Sequence, residues 1–171
     1  MKHIFFTFIL ITLFFFTYAQ HFETVKDRTG KNLLKGFVTD SILIADTVNY
    51  NWFGVHERAY TPDEAIVRRF SETKDSVTFL IFFGTWCADS HYVIPRFYKI
   101  AAQAGLDKKR ITLFGLDRTK KDDAHFAANL DIAHVPTIIV LKNGKELGRV
   151  VEYGITGRFD EELAAIVAAA K

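Results

Sequence analysis

Residues 79–95 read FLIFFGTWCADSHYVIP. The run Phe79–Phe83 has strand composition, Gly84-Thr85 is a turn, and Trp86-Cys87 heads a helix. Extended back to Val77, the strand is largely apolar on both faces, which suits the centre of a sheet covered on both sides. Forward, the pattern predicts a helix to about Ala104, with Val93, Ile94, Phe97 and Ile100 as its apolar stripe. Pro95 is its kink point and Gly105 its C-cap. Cys87 is the single cysteine of the chain. A thiol at a helix N-terminus meets unsatisfied first-turn N–H groups and the positive end of the macrodipole. Both favour the thiolate, which is the nucleophile of sulfur chemistry.

Working outward, the segment from Gln20 to about Asn32 is polar and reads as loosely ordered, with Thr29-Gly30 as a turn. Leu33–Ile44 reads as two short strands around Asp40-Ser41. Asn49–Tyr60 is aromatic-rich and irregular; Trp52, Phe53 and Tyr60 cover a sheet edge or helix face, or form a lip for substrate. Thr61-Pro62-Asp63-Glu64 reads as a capping box with proline at the first helical position. Ile66 and Phe70 then share one face of the helix that follows. Past the central helix come a strand at Ile111–Leu116 and a short helix at Asp122–Asn129. A hairpin follows from Thr137–Leu141 through Asn143-Gly144 to Glu146–Tyr153. The last element is a helix from Phe159 to Ala170. The expected organisation is a leader at 1–19, an N-terminal extension with short strands at 20–60, and a domain at 61–171. The first strands of its sheet are drawn from 33–46.

The chain has 171 residues, enough for one domain with a proper core. Its 49% apolar content, with 17 Phe, excludes a disordered chain. Part of that content belongs to a leader: Lys2 and His3, then 13 uncharged residues from Ile4 to Phe16, then Thr17-Tyr18-Ala19. That run is short of the ~20 residues of a spanning helix and matches a signal peptide cleaved after Ala19. The chain is therefore expected to be exported to a bacterial periplasm or the exterior, with no membrane span after cleavage. Removing Lys2 lowers the net charge from +2 to +1, and no long basic run suggests nucleic acid as a partner. In an oxidising compartment a single cysteine is buried and inert, paired with another molecule, or reactive.

The order of elements resembles the thioredoxin family, and four features in register carry the resemblance. Trp86-Cys87 follows an apolar strand. Pro95 stands eight residues after the cysteine, where the family kinks its active-site helix. Val135-Pro136-Thr137 looks like the family's cis-proline segment, and Lys142-Asn143-Gly144-Lys145 like its final hairpin turn. The likeness spans roughly Ser76–Val167. It implies an α/β thioredoxin-like fold: one domain with a central mixed β-sheet flanked by helices on both faces.

The departures bear on function. The family's dithiol motif is Cys-x-x-Cys, whereas this chain has Cys87-Ala88-Asp89-Ser90. The Ser90 hydroxyl could hydrogen-bond the Cys87 thiolate but cannot displace a mixed disulfide. The family's buried acid falls at Ile81 and its buried lysine near Leu113. The resemblance therefore implies monothiol exchange: Cys87 attacks disulfide-bearing proteins or small-thiol adducts, and an external thiol donor frees it. Ser90, Trp86, Asp89, His91, Val135, Pro136 and Thr137 surround Cys87 in this reading. A charged His91 would favour the thiolate and Asp89 would oppose it. Cys87, His91 and His134 offer a soft ligand set for copper or zinc, but at no recognised metal spacing, so no metal or other cofactor is expected. The competing class is a redox-inert binding or assembly module that uses the groove beside Pro136.

Overall fold

The computed structural model describes residues 22–120, 122 and 125–170; the leader at 1–19 lies outside them. Six strands form one mixed sheet in the order β1-β2-β4-β3-β5-β6. They are β1 (Phe22–Lys26), β2 (Asn32–Val38), β3 (Thr78–Phe83), β4 (Ile111–Gly115), β5 (Thr137–Lys142) and β6 (Lys145–Val151). Only the β3–β4 pair is parallel among these pairings. A parallel pair needs a long crossover, and the helix α4 (Ala88–Gln103) supplies it.

Strand β3 sits at the centre because both of its faces are apolar. Phe79, Ile81 and Phe83 join the larger core with Val93, Ile94 and Phe97 of α4. Phe82 points the other way, against Phe114 and the short helix α5 (Phe126–Asn129). On that face the rings of Phe37, Phe82, Phe114 and Phe126 pack with centroids 4.9–5.7 Å apart. The helices α3 (Glu64–Thr73) and α6 (Phe159–Ala168) cover the first face through Ile66, Phe70, Leu163 and Val167. Helix α4 runs through Pro95 and ends in a Schellman motif. There Leu106 N donates to Ala101 O and Gly105 N to Ala102 O, with Gly105 at φ +68°. The β5–β6 turn has Asn143 and Gly144 both at positive φ, the geometry that Asn-Gly provides.

The N-terminal part departs from the sequence reading in four places. The segment expected to be loosely ordered contains β1, all of which pairs with Asn32–Gly36 of β2. Asp27 Oδ1 fixes the turn between them by accepting from Thr29 N, Thr29 Oγ1 and Lys31 N. The second of the two strands expected within Leu33–Ile44 is instead the helix α1 (Asp40–Ala45). Strand β2 loses its sheet partner beyond Val38, opposite Leu113. A helical turn then buries Leu43 and leaves Asp40 at the favourable N-terminal end. The sheet's first strands therefore come from 22–38. The stretch expected to be irregular is the helix α2 (Asn51–Arg58), which buries Phe53 against Tyr98. The cap of α3 also shifts: Asp63, not Thr61, is the N-cap, its carboxylate accepting from Ala65 N.

Candidate active site

Cys87 is the N-cap of α4, with extended backbone (φ −96°, ψ 122°). Its amide donates to Gly84 O and its carbonyl accepts from His91 N, so the residue closes the strand-to-helix turn. The Sγ donates to Val135 O at 3.1 Å. That carbonyl belongs to the residue before Pro136, and the Val135–Pro136 peptide bond is cis. Pro136 O in turn accepts from Glu152 N at 2.7 Å, and Thr137 Oγ1 donates to His134 O. Three chain segments thus meet at the thiol: the head of α4, the loop before β5, and the loop after β6.

Trp86 lies against the sheet's exit, its indole donating to Leu116 O at 2.8 Å. A Cβ at Gly84 would stand 2.7 Å from this indole, so only glycine permits the ring to fold over the turn. Ser90 is wholly buried. Its Oγ accepts from Gly84 N at 3.2 Å, and no hydrogen bond joins it to Cys87. The hydroxyl expected at the thiol instead holds the turn that carries the thiol, because the helix rotates position 90 toward the core.

A charged His91 would favour the thiolate, but its surroundings favour the neutral ring. Its ring stacks on Trp52 at 4.2 Å and 15°, and Nε2 lies 2.7 Å from Thr85 O. A carbonyl only accepts, so Nε2 carries the proton. Burial pushes its ionisation below the usual histidine range; the Thr85 carbonyl opposes this, and His56 and Lys31 add to it. His91 is therefore a neutral strut between α2 and the Cys87 turn. Trp52 accordingly covers a helix face, the first of the two uses read for it. His134 pairs with Glu152 at 3.5 Å on the exposed rim. Among the described residues no three His, Cys, Asp or Glu side chains gather as a metal site.

In the sequence Tyr153 reads only as the end of a strand. It lies just past β6 and packs edge-on against Tyr92 at 5.2 Å. Burial, then the Asp89 carboxylate and the Cys87 sulfur, push its phenol up to about 12. The hydroxyl thus stays protonated beside Asp89 and the thiol. Its nearness comes from the Glu152 N to Pro136 O bond, a long-range contact without a local signal. Ile81 and Leu113 are partners across β3 and β4, and both are buried. The interior at that pair is apolar.

A thiol at the head of a 16-residue helix, preceded by a tryptophan and set against a cis-proline loop, is the arrangement of one class of protein. The thioredoxin family model matches residues 63–168, and the chain belongs to that family. A TPR repeat-containing thioredoxin of Arabidopsis thaliana is 33% identical over 72 residues, 42% of this chain and 17% of that protein. The chain therefore spans about a sixth of that relative. An HIV epitope-scaffold crystal structure shares the fold, with a TM-score of 0.56 at 16% identity over 77% of this chain and 92% of its own. A Pseudomonas aeruginosa protein of unknown function is 18% identical, with a TM-score of 0.47 over 79% of this chain and 85% of its own.

Proposed function

We propose that the chain is an exported thiol–disulfide exchange protein acting through Cys87 alone. One observation carries this. Cys87 stands at the head of α4 as the chain's single cysteine, and the position that holds the family's second thiol is a buried serine bonded to Gly84. The Cys87 thiolate attacks one sulfur of a substrate disulfide R–S–S–R′. A Cys87–S–S–R bond forms, the substrate S–S bond breaks, and the electron pair leaves on R′–S⁻, which takes a proton from water. No thiol of the same chain can then attack Cys87. An external thiolate R″–S⁻ attacks the sulfur of R, forms R–S–S–R″ and frees Cys87 as thiolate. If R″ belongs to the same substrate, the outcome is isomerisation; if it is a small thiol, the outcome is removal or transfer of a cap.

The partners that follow are disulfide-bearing proteins or small thiol adducts, together with an external thiol donor. Among the described residues no helix is long and apolar enough to cross a membrane. Export rests on the leader composition. Protein recovered from its own cell envelope should begin at or near Gln20 by mass spectrometry, and an intact Met1 there would replace export with anchoring.

Incubation with disulfide-bearing envelope proteins tests the chemistry. The wild type should form adducts that survive a non-reducing gel, and Cys87→Ser should form none. Insulin reduction should be weak and should rise steeply with added small thiol. Absence of adducts favours the redox-inert binding module.

A further inference from the structure

Two contacts from the N-terminal segment converge on Thr85, in the turn that carries the thiol. Leu34 N of β2 donates to Thr85 Oγ1 at 3.4 Å. The Thr85 carbonyl accepts from His91 Nε2, and the His91 ring rests on Trp52 of α2. Both β2 and α2 precede Asp63, where the match to the family model begins. The family frame carries the thiol, and this chain's own N-terminal segment reaches the turn that presents it.

That turn runs from Gly84 to Cys87 and is closed by Cys87 N donating to Gly84 O. Turn types I and II share this closing bond and differ in the direction of the middle peptide. Here the middle peptide is Thr85–Trp86, and its carbonyl is the one that His91 holds at 2.7 Å. Thr85 is buried, and a buried carbonyl left without a donor is costly. The basic groups His56 of α2 and Lys31 of the β1–β2 turn act on His91 in the sense that keeps its ring neutral. A neutral ring stacks on Trp52 without the cost of burying a charge. His91 therefore acts on the turn through its N–H and not through a charge.

We infer that His91 is a positioning residue for Cys87: braced by Trp52, it fixes the Thr85 carbonyl and with it the turn that presents the thiol. The use of that positioning rests on the exchange reading above. With the N–H lost, the negative end of the Thr85 carbonyl is no longer engaged, and a negative end in the Cys87 turn opposes the thiolate.

The test is the pH profile of Cys87 alkylation by iodoacetamide, taken on protein whose folding is checked by its urea midpoint. His91→Phe keeps a ring against Trp52 and loses the donor. Its profile should move up by about one pH unit, or roughly tenfold less thiolate below the midpoint. His91→Gln keeps an N–H and should restore the wild-type profile. Asp89 and Tyr153, which stand near the thiol, are the same in every variant. Trp52→Leu should move the profile the same way by less, and combining it with His91→Phe should add nothing to His91→Phe alone. A profile unmoved by His91→Phe, or moved equally by His91→Gln, overturns the positioning role, and so do additive shifts in the combined variant. Should His91→Phe not fold, Trp52→Leu carries the test, and a wild-type profile there overturns the role. Alkylation needs no disulfide, so each of these failures leaves monothiol exchange standing. A thiol that alkylates as expected and yet forms no mixed disulfide removes the exchange reading instead.

Discussion

Ser90 shows how one side chain can stand in a catalytic position and serve the backbone. Its Oγ satisfies Gly84 N inside the core. Ser90→Ala leaves that amide without a partner and should cost about 1–3 kcal/mol of stability, read as a lower urea midpoint. Cys87 should still form adducts in that variant. A second residue-scale prediction concerns acid. His91 and His56 are both held below the usual histidine range, first by burial; His56 also faces Arg96, whose guanidinium lies 3.3 Å from its Nδ1. Their folded values lie below the unfolded value of about 6.5, so the folded state favours the neutral rings. That stability is complete above about pH 6.5 and is lost as pH falls through the folded values. The lowered carboxylates Asp46, Glu146 and Glu162 act in a more acidic window. Urea midpoints of the wild type should therefore drop between pH 7.5 and 5.5, and the double variant His91→Gln, His56→Gln should show a flatter slope. An unchanged slope would remove the neutral-strut account of His91. The Cys87 position was legible from its spacing; the Ser90 bond and the approach of Tyr153 were not, because they depend on helix rotation and on a loop returning from β6.

At the scale of elements, legibility followed the strength of local pattern. Strand β3, helix α4 and the β5–β6 hairpin carry continuous apolar runs or Asn-Gly chemistry, and they form where the residues indicate. Helix α2 was obscured by adjacent aromatics Trp52 and Phe53 and an interior Gly54, which blur helical spacing; docking on α4 decides its state. Strand β1 is polar and shows only Phe22 and Val25 half-buried, so its state comes from pairing with β2. The β3–β4 pair yields a further prediction. Ile81 and Leu113 face each other in an apolar interior. Ile81→Asp alone should destabilise the fold by about 3–5 kcal/mol, the cost of an unpaired buried charge. Adding Leu113→Lys should recover part of it, as a double-mutant cycle in urea would show. Independent effects would mean that the two positions do not meet as their register places them.

For the molecule as a whole, the family's sheet and helices bring a thiol to a cis-proline loop, while the N-terminal hairpin and α2 brace the other side of the turn. The core is apolar at Ile81 and Leu113, and one cysteine is all the chain has. The central claim is that this frame performs half of a dithiol cycle and waits for an outside thiol. The most direct measurement follows the purified protein with an aromatic disulfide by intact mass and by the released chromophore. The account predicts one released thiolate per chain, formed faster than with free cysteine at the same pH. It also predicts a mixed disulfide on Cys87 that persists until a thiol is added. A thiol that reacts no faster than free cysteine, or that forms no adduct, would contradict it.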